Sequence, residues 1–241
     1  MLYTGAAATP PYPAMASWLD FNTMWVNNLP NIGTNCQFSS GTVIPNTQEE
    51  TAALKAAVTS LARSTNVNSS FILAMVMQES AGCVRVPTTS SWEGISNPGL
   101  LQSYKGAATC NSNGQIMSPC PARMITQMLA EGIKGNQGVG IMPALQQAAK
   151  ILGTSDTTTA STTKSRRDGP YAIGDPIMAT GTPSKTVDPA LVYYVAARIY
   201  NSGSLPADDD LSGPGSTRCY VSDVVNRLMG WVNASSDCSL R

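Results

Sequence analysis

The chain has 241 residues, with 15 Lys and Arg balanced by 15 Asp and Glu, and only 12% of its residues are charged. A net charge of zero gives no sign of the basic footprint of a nucleic-acid binder. The absence of histidine excludes His-based triads, histidine acid–base catalysis and most zinc sites, so hydrolytic chemistry would have to come from carboxylates, Ser, Lys, Tyr or Cys.

The first residues, Met1-Leu2-Tyr3-Thr4-Gly5, lack the charged and apolar regions of an export signal and read as a mature or engineered start. Residues 1–46 are rich in Pro, Asn and Gly and carry an aromatic cluster of Trp18, Phe21 and Trp25. They are expected to form an extended or short-helical arm packed on the core, with the main domain over 47–241. Thr47-Gln48-Glu49-Glu50 has the form of a capping box and predicts a helix to about Ser64, with Leu54, Ala57, Val58 and Leu61 at helical spacing.

After an Asn/Ser linker comes Phe71-Ile72-Leu73-Ala74-Met75-Val76-Met77, a run with no polar face, followed by Gln78-Glu79-Ser80 and a break at Gly82. Such a helix is expected to be buried on most sides, yet it ends in a carboxylate. Apolar neighbours and the negative end of the helix dipole both disfavour the ionised form of Glu79. A carboxyl kept protonated near neutral pH suits general-acid chemistry on a glycosidic oxygen. These residues alone leave open an ordinary core helix whose Glu reaches water.

Residues 84–118, punctuated by Pro, Gly, Asn and Ser, predict a short hairpin or irregular loops. Helices follow over Pro121 to about Gly132 and Met142 to about Leu152. A polar insertion over 153–187 contains a Thr-rich run and the basic residues Lys164, Arg166 and Arg167. Asp188-Pro189 predicts the start of a helix running to about Asn201, and a last helix is expected over Val221 to Val232. The sum is a predominantly helical α+β fold.

Six cysteines, low charge and abundant Ser, Thr, Asn and Gly predict a secreted, extracellular protein held by disulfides. Short local loops would pair Cys110 with Cys120 and Cys219 with Cys238, leaving Cys36 with Cys83. Asn68-Ser69-Ser70 and Asn233-Ala234-Ser235 match the glycosylation pattern, which matters only in a eukaryotic host. No apolar run reaches membrane-spanning length. A monomer without metal or cofactor is expected, with no nucleic-acid or membrane partner.

Three segments occur in order: Met77-Gln78-Glu79-Ser80, then Asn97-Pro98-Gly99-Leu100-Leu101-Gln102, then Ala197-Arg198-Ile199-Tyr200-Asn201-Ser202-Gly203. Together they resemble the signature of glycoside hydrolase family 23, the goose-type lysozymes and soluble lytic transglycosylases. There Glu-Ser ends a buried helix, Gly-Leu-Met-Gln follows a loop, and Ala-Tyr-Asn-x-Gly lies on a later helix. The resemblance covers residues 47–203 and leaves the arm and the insertion outside it.

The resemblance implies a lysozyme-like fold with Glu79 as the acid. Ser80 would orient that carboxyl or touch the sugar, and Gln102, Tyr200 and Asn201 would line the cleft. Trp92-Glu93 resembles the Trp and Asp of goose-type lysozymes, so Glu93 would be the second catalytic carboxylate, with Asp168 and Asp175 as weaker alternatives and a solvated loop charge as the plain one. Inverting hydrolysis wants such a base about 6.5–9.5 Å from the acid, whereas lytic transglycosylases close an anhydro ring with the substrate's own hydroxyl. The expected partner is cell-wall glycan, peptidoglycan first and chitin second, and the expected activity is that of a muramidase. A glycan-binding protein without turnover is the rival. Arg198-Ile199 departs from the small residues usual in the third motif.

Overall fold

A computed structural model describes residues 1–6, 12–34, 36, 44–91, 93–154, 187–215 and 217–232. Among them a 3-10 turn at Met15–Ser17 precedes α1 (Phe21–Asn28), α2 (Gln48–Thr65) and α3 (Ser69–Ser80). Two small antiparallel hairpins follow, β1 (Thr89–Ser90) with β2 (Ser96–Asn97) and β3 (Asn111–Ser112) with β4 (Gln115–Ile116). The chain continues through α4 (Ala122–Lys134), α5 (Ile141–Ile151), α6 (Pro189–Ser202) and α7 (Tyr220–Leu228). The architecture is α+β and mostly helical.

Local signals account for most helix starts. The Thr47 hydroxyl accepts from the Glu50 amide, while the Glu50 carboxylate accepts from the Thr47 amide. Asp188 caps α6 by accepting from the Ala190 amide, with Pro189 in the first turn. Asn68 accepts from the Ser70 and Phe71 amides, so the side chain of that sequon is engaged in starting α3. The last helix ends at Leu228, short of the expected Val232, because Gly230 turns to a φ of 104° and the Trp231 amide bonds back to the Asn226 carbonyl.

Phe71 through Met77 are all buried, and α3 packs against α1, α2 and α7. Enclosure on several sides is what makes a helix without a polar face stable in water. The described N-terminal residues join the same core through Tyr3, Met24, Trp25 and Ile32. The aromatic cluster divides: Phe21 and Trp25 pair at 5.9 Å, while Trp18 turns to Tyr193 and Tyr194 of α6 at 5.4 and 5.9 Å. The Trp18 indole N–H donates to the Tyr194 hydroxyl at 2.7 Å, which fixes the arm on α6.

Behind the first turn of α2, the Arg85 guanidinium meets the Glu50 carboxylate, with side chains 2% and 3% exposed. The Cys120 amide donates to the same carboxylate at 2.5 Å, and the Asn111 amide group donates to the Arg85 carbonyl at 2.9 Å. This knot joins α2, the segment after α3, the second hairpin and the approach to α4.

Disulfides join Cys36 to Cys83 and Cys110 to Cys120, with Cα atoms 5.4 and 5.7 Å apart. The expected partner of Cys219, Cys238, lies outside the described residues. So do Trp92, the basic residues Lys164, Arg166 and Arg167, and both Asp168 and Asp175. No described helix is long and apolar enough to cross a membrane.

Candidate active site

α3 stops where Ala81 and then Gly82 adopt left-handed conformations, with φ of 50° and 72°. Its last turn places Glu79, half-buried, in the lining of a cleft of about 620 Å³. The β1–β2 hairpin contributes Thr89, Ser91, Glu93 and Asn97 to the lining. The turn after it adds Gln102 and Tyr104, and the end of α6 adds Tyr200 and Asn201. Five of the six residues singled out from sequence therefore share one cleft.

Close backbone approach seats the Gly-Leu-Leu-Gln turn. A Cβ on Gly99, whose φ is 79°, would come within 2.9 Å of the Ala108 carbonyl oxygen and Met128 Cγ. A Cβ on Gly132 of α4 would lie 2.5 Å from Leu101 Cβ. With both glycines bare, Leu100 and Leu101 sink fully into the core and Gln102 emerges at the cleft with a φ of 46°.

The individual side chains divide into positioning groups and chemically available ones. The Tyr200 hydroxyl donates to the Leu101 carbonyl at 2.5 Å, locking the turn onto α6. Asn201 accepts from the Thr217 amide at 2.9 Å through its carbonyl oxygen. The Gln102 amide N–H groups donate to the Gly99 and Pro87 carbonyls at 3.0 and 3.3 Å, and its oxygen accepts from the Thr89 hydroxyl at 2.6 Å. Gln102 thus staples the hairpin to the turn, and that amide is engaged within the protein.

Ser80 departs from expectation. It is fully buried, and its hydroxyl donates to the Val76 carbonyl of its own helix at 2.9 Å, so it neither lines the cleft nor orients the Glu79 carboxyl. A helix turns about 100° per residue, so the neighbour of a cleft-facing side chain faces the core. Glu93 is exposed in the turn of the first hairpin, on the lining shared with Glu79. Arg198, which stands where the third motif usually has a small residue, is buried and turned to the Gly213 and Pro214 carbonyls at 2.8 and 2.7 Å, where it anchors the segment before α7.

Burial pushes the Glu79 carboxyl up from its ordinary 4.5 to about 7, and a hydrogen bond donated by the Tyr220 hydroxyl partly opposes the rise. Tyr220 itself is buried, and both burial and the neighbouring Glu79 charge hold its hydroxyl protonated well above the usual tyrosine range. Burial and then the Glu79 charge do the same for Tyr200. From the same helix as Tyr220, Arg227 Nε donates to Gln78 Oε1 at 3.0 Å, so α7 grips the last turn of α3 at two points. Tyr220 was not legible beforehand, since it belongs to no motif and stands 141 positions from Glu79. The available signal was an aromatic hydroxyl opening a helix whose Val221, Val224, Val225 and Leu228 face the core.

In any reaction that uses Glu79 as its acid, Tyr220→Phe is expected to lower the rate about ten- to a hundredfold, since a hydrogen bond to a charged group contributes about 1.5–3 kcal/mol. Losing a donor that favours the carboxylate should also move the alkaline limb of the pH–rate profile upward. A limb that moved to lower pH would contradict the assigned hydrogen bond.

Among the described residues, no group of three or more Cys, Asp or Glu side chains gathers in a way that could hold a metal ion. Comparison with family models, with curated proteins and with solved structures finds no match. The resemblance to glycoside hydrolase family 23 therefore rests on the three motifs themselves.

Proposed function

We propose that the chain is a secreted glycosidase that cleaves β-1,4 links between N-acetylated aminosugars, with Glu79 as its general acid. One observation carries this reading: a carboxyl raised to about 7 lines an open cleft and is held by a tyrosine hydroxyl. A group with that pKa keeps much of its proton at neutral pH and can still release it to a leaving oxygen. Ser91, Asn97 and Tyr104 of the same lining bring hydroxyl and amide groups of the kind that bond sugar hydroxyl and acetamido groups. The Cys36–Cys83 and Cys110–Cys120 bridges support an extracellular setting.

In this mechanism Glu79 protonates the glycosidic oxygen while Tyr220 and the last turn of α3 hold the carboxyl in place. Glu93 activates the water that completes hydrolysis. Lysis of purified peptidoglycan, with chitin as the second polymer, tests the activity, and mass analysis of the new ends tests the mechanism. Glu93→Gln is expected to lower the rate about 10²-fold or more, the lower end for general-base catalysis. An unchanged rate together with 1,6-anhydro ends would instead identify transglycosylation, in which the substrate's own hydroxyl closes the ring.

A further inference from the structure

We propose that the cleft takes an uncharged or amine-bearing β-1,4-glucosamine polymer of the chitin type and discriminates against strands that carry carboxylates. The proposal rests on the glycosidase reading above and narrows its substrate. Its basis is the charge of the lining. Among the described residues the cleft is bordered by two carboxylates, Glu79 and Glu93, and by no Lys or Arg.

The described cations near the lining are engaged by other groups of the protein. Lys105 follows the lining residue Tyr104, but its ammonium bonds Gln137 Oε1 at 3.2 Å and stands 5.3 Å from the centroid of the Tyr104 ring. Arg198 is turned to the Gly213 and Pro214 carbonyls. Arg227 bonds Gln78 and covers the Trp231 ring at 4.7 Å.

A muramic acid unit brings a lactyl carboxylate or, where that carboxyl is amide-linked to a peptide stem, the carboxylates of the stem. Each would meet the like charge of Glu93 in a concave site where field lines are concentrated, with no Lys or Arg among the described lining residues to compensate. The neutral acetamido group of a chitin unit adds no like charge beside Glu93, and the ammonium of a de-N-acetylated unit would be attracted. In the acid's active, protonated form the lining still carries the Glu93 charge, so the discrimination persists while the enzyme turns over.

The test measures kcat/KM for the whole chain on three oligosaccharides of equal length. These are the fully acetylated chitin oligomer, its partly de-N-acetylated form, and a peptidoglycan strand with free lactyl carboxylates. At low ionic strength both chitin-type oligomers should be preferred by at least about tenfold, in the range of electrostatic steering, and the gap should narrow in about 0.5 M salt. Val139→Lys places a cation on an exposed position of the lining, and it should raise the ratio of kcat/KM on the carboxylate-bearing strand to that on the acetylated oligomer several-fold. A carboxylate-bearing strand cleaved as well as or better than chitin at low salt would overturn the proposal and leave the glycosidase reading standing. Cleavage of none of the three would remove that reading, and the proposal with it.

Discussion

Glu79→Gln is expected to reduce glycan cleavage by about 10²–10⁴-fold, the range for loss of a general acid. The amide keeps the shape of the carboxyl and can still accept from the Tyr220 hydroxyl, so the cleft should persist and glycan binding should survive. Unimpaired lysis by the purified variant would sink the mechanism. The substitution also makes a stability prediction of opposite sign. The folded pKa of about 7 lies above the ordinary 4.5, so between those values the folded state holds a proton that the unfolded chain has released. Stability from this group is fully present below about pH 4.5 and is lost as pH rises through about 7. At about 1.4 kcal/mol per pH unit, the loss at pH 8 is on the order of 3 kcal/mol at most. Glu79→Gln, with nothing to ionise, should therefore be more stable than the parent at pH 8, by about 1–3 kcal/mol, and nearly equal to it at pH 4. Thermal melts at the two pH values check this, and equal differences at both would show that burial does not hold the proton.

The largest effect on folding is expected at Arg85. Replacing it by Met leaves the Glu50 carboxylate buried with only the Thr47 and Cys120 amides as donors. Breaking a buried pair from one side typically costs about 3–5 kcal/mol, because the remaining charge is uncompensated. The effect should reach the site as well, since Arg85 follows Glu79 closely in the chain and its carbonyl holds Asn111 of the second hairpin. Joint replacement, Glu50→Gln with Arg85→Met, should recover most of the loss, since the charge and its partner then leave together. Urea unfolding of the single and double variants provides the measurement. A single variant within about 1 kcal/mol of the parent would mean that the pair adds no more than a surface salt bridge.

The sequence by itself determined the features that depend on near neighbours. Thr47-x-x-Glu50 and Asp188-Pro189 mark helix starts because the capping groups lie within a few residues of the amides they serve. The unbroken apolar run from Phe71 to Met77 implied burial on most sides, and the Cys110–Cys120 loop was short enough to guess. The three motifs named Glu79, Gln102, Tyr200 and Asn201, all of which reach one cleft.

The tertiary structure alone decided what each of those side chains does there. Gln102 was expected to face a ligand, but its amide joins Pro87, Thr89 and Gly99. Ser80 sits next to Glu79 in the chain yet points into the core. Arg198 turns away to hold the segment that leads into α7. The hydroxyl that binds the Glu79 carboxyl comes from Tyr220, on a helix far along the chain. The proton affinity of Glu79 depends on how deeply α1, α2 and α7 enclose α3, and on which donor they deliver to its last turn. Desolvation is a property of the whole enclosing volume, so the residues flanking Glu79 could give the direction of its shift but not its extent.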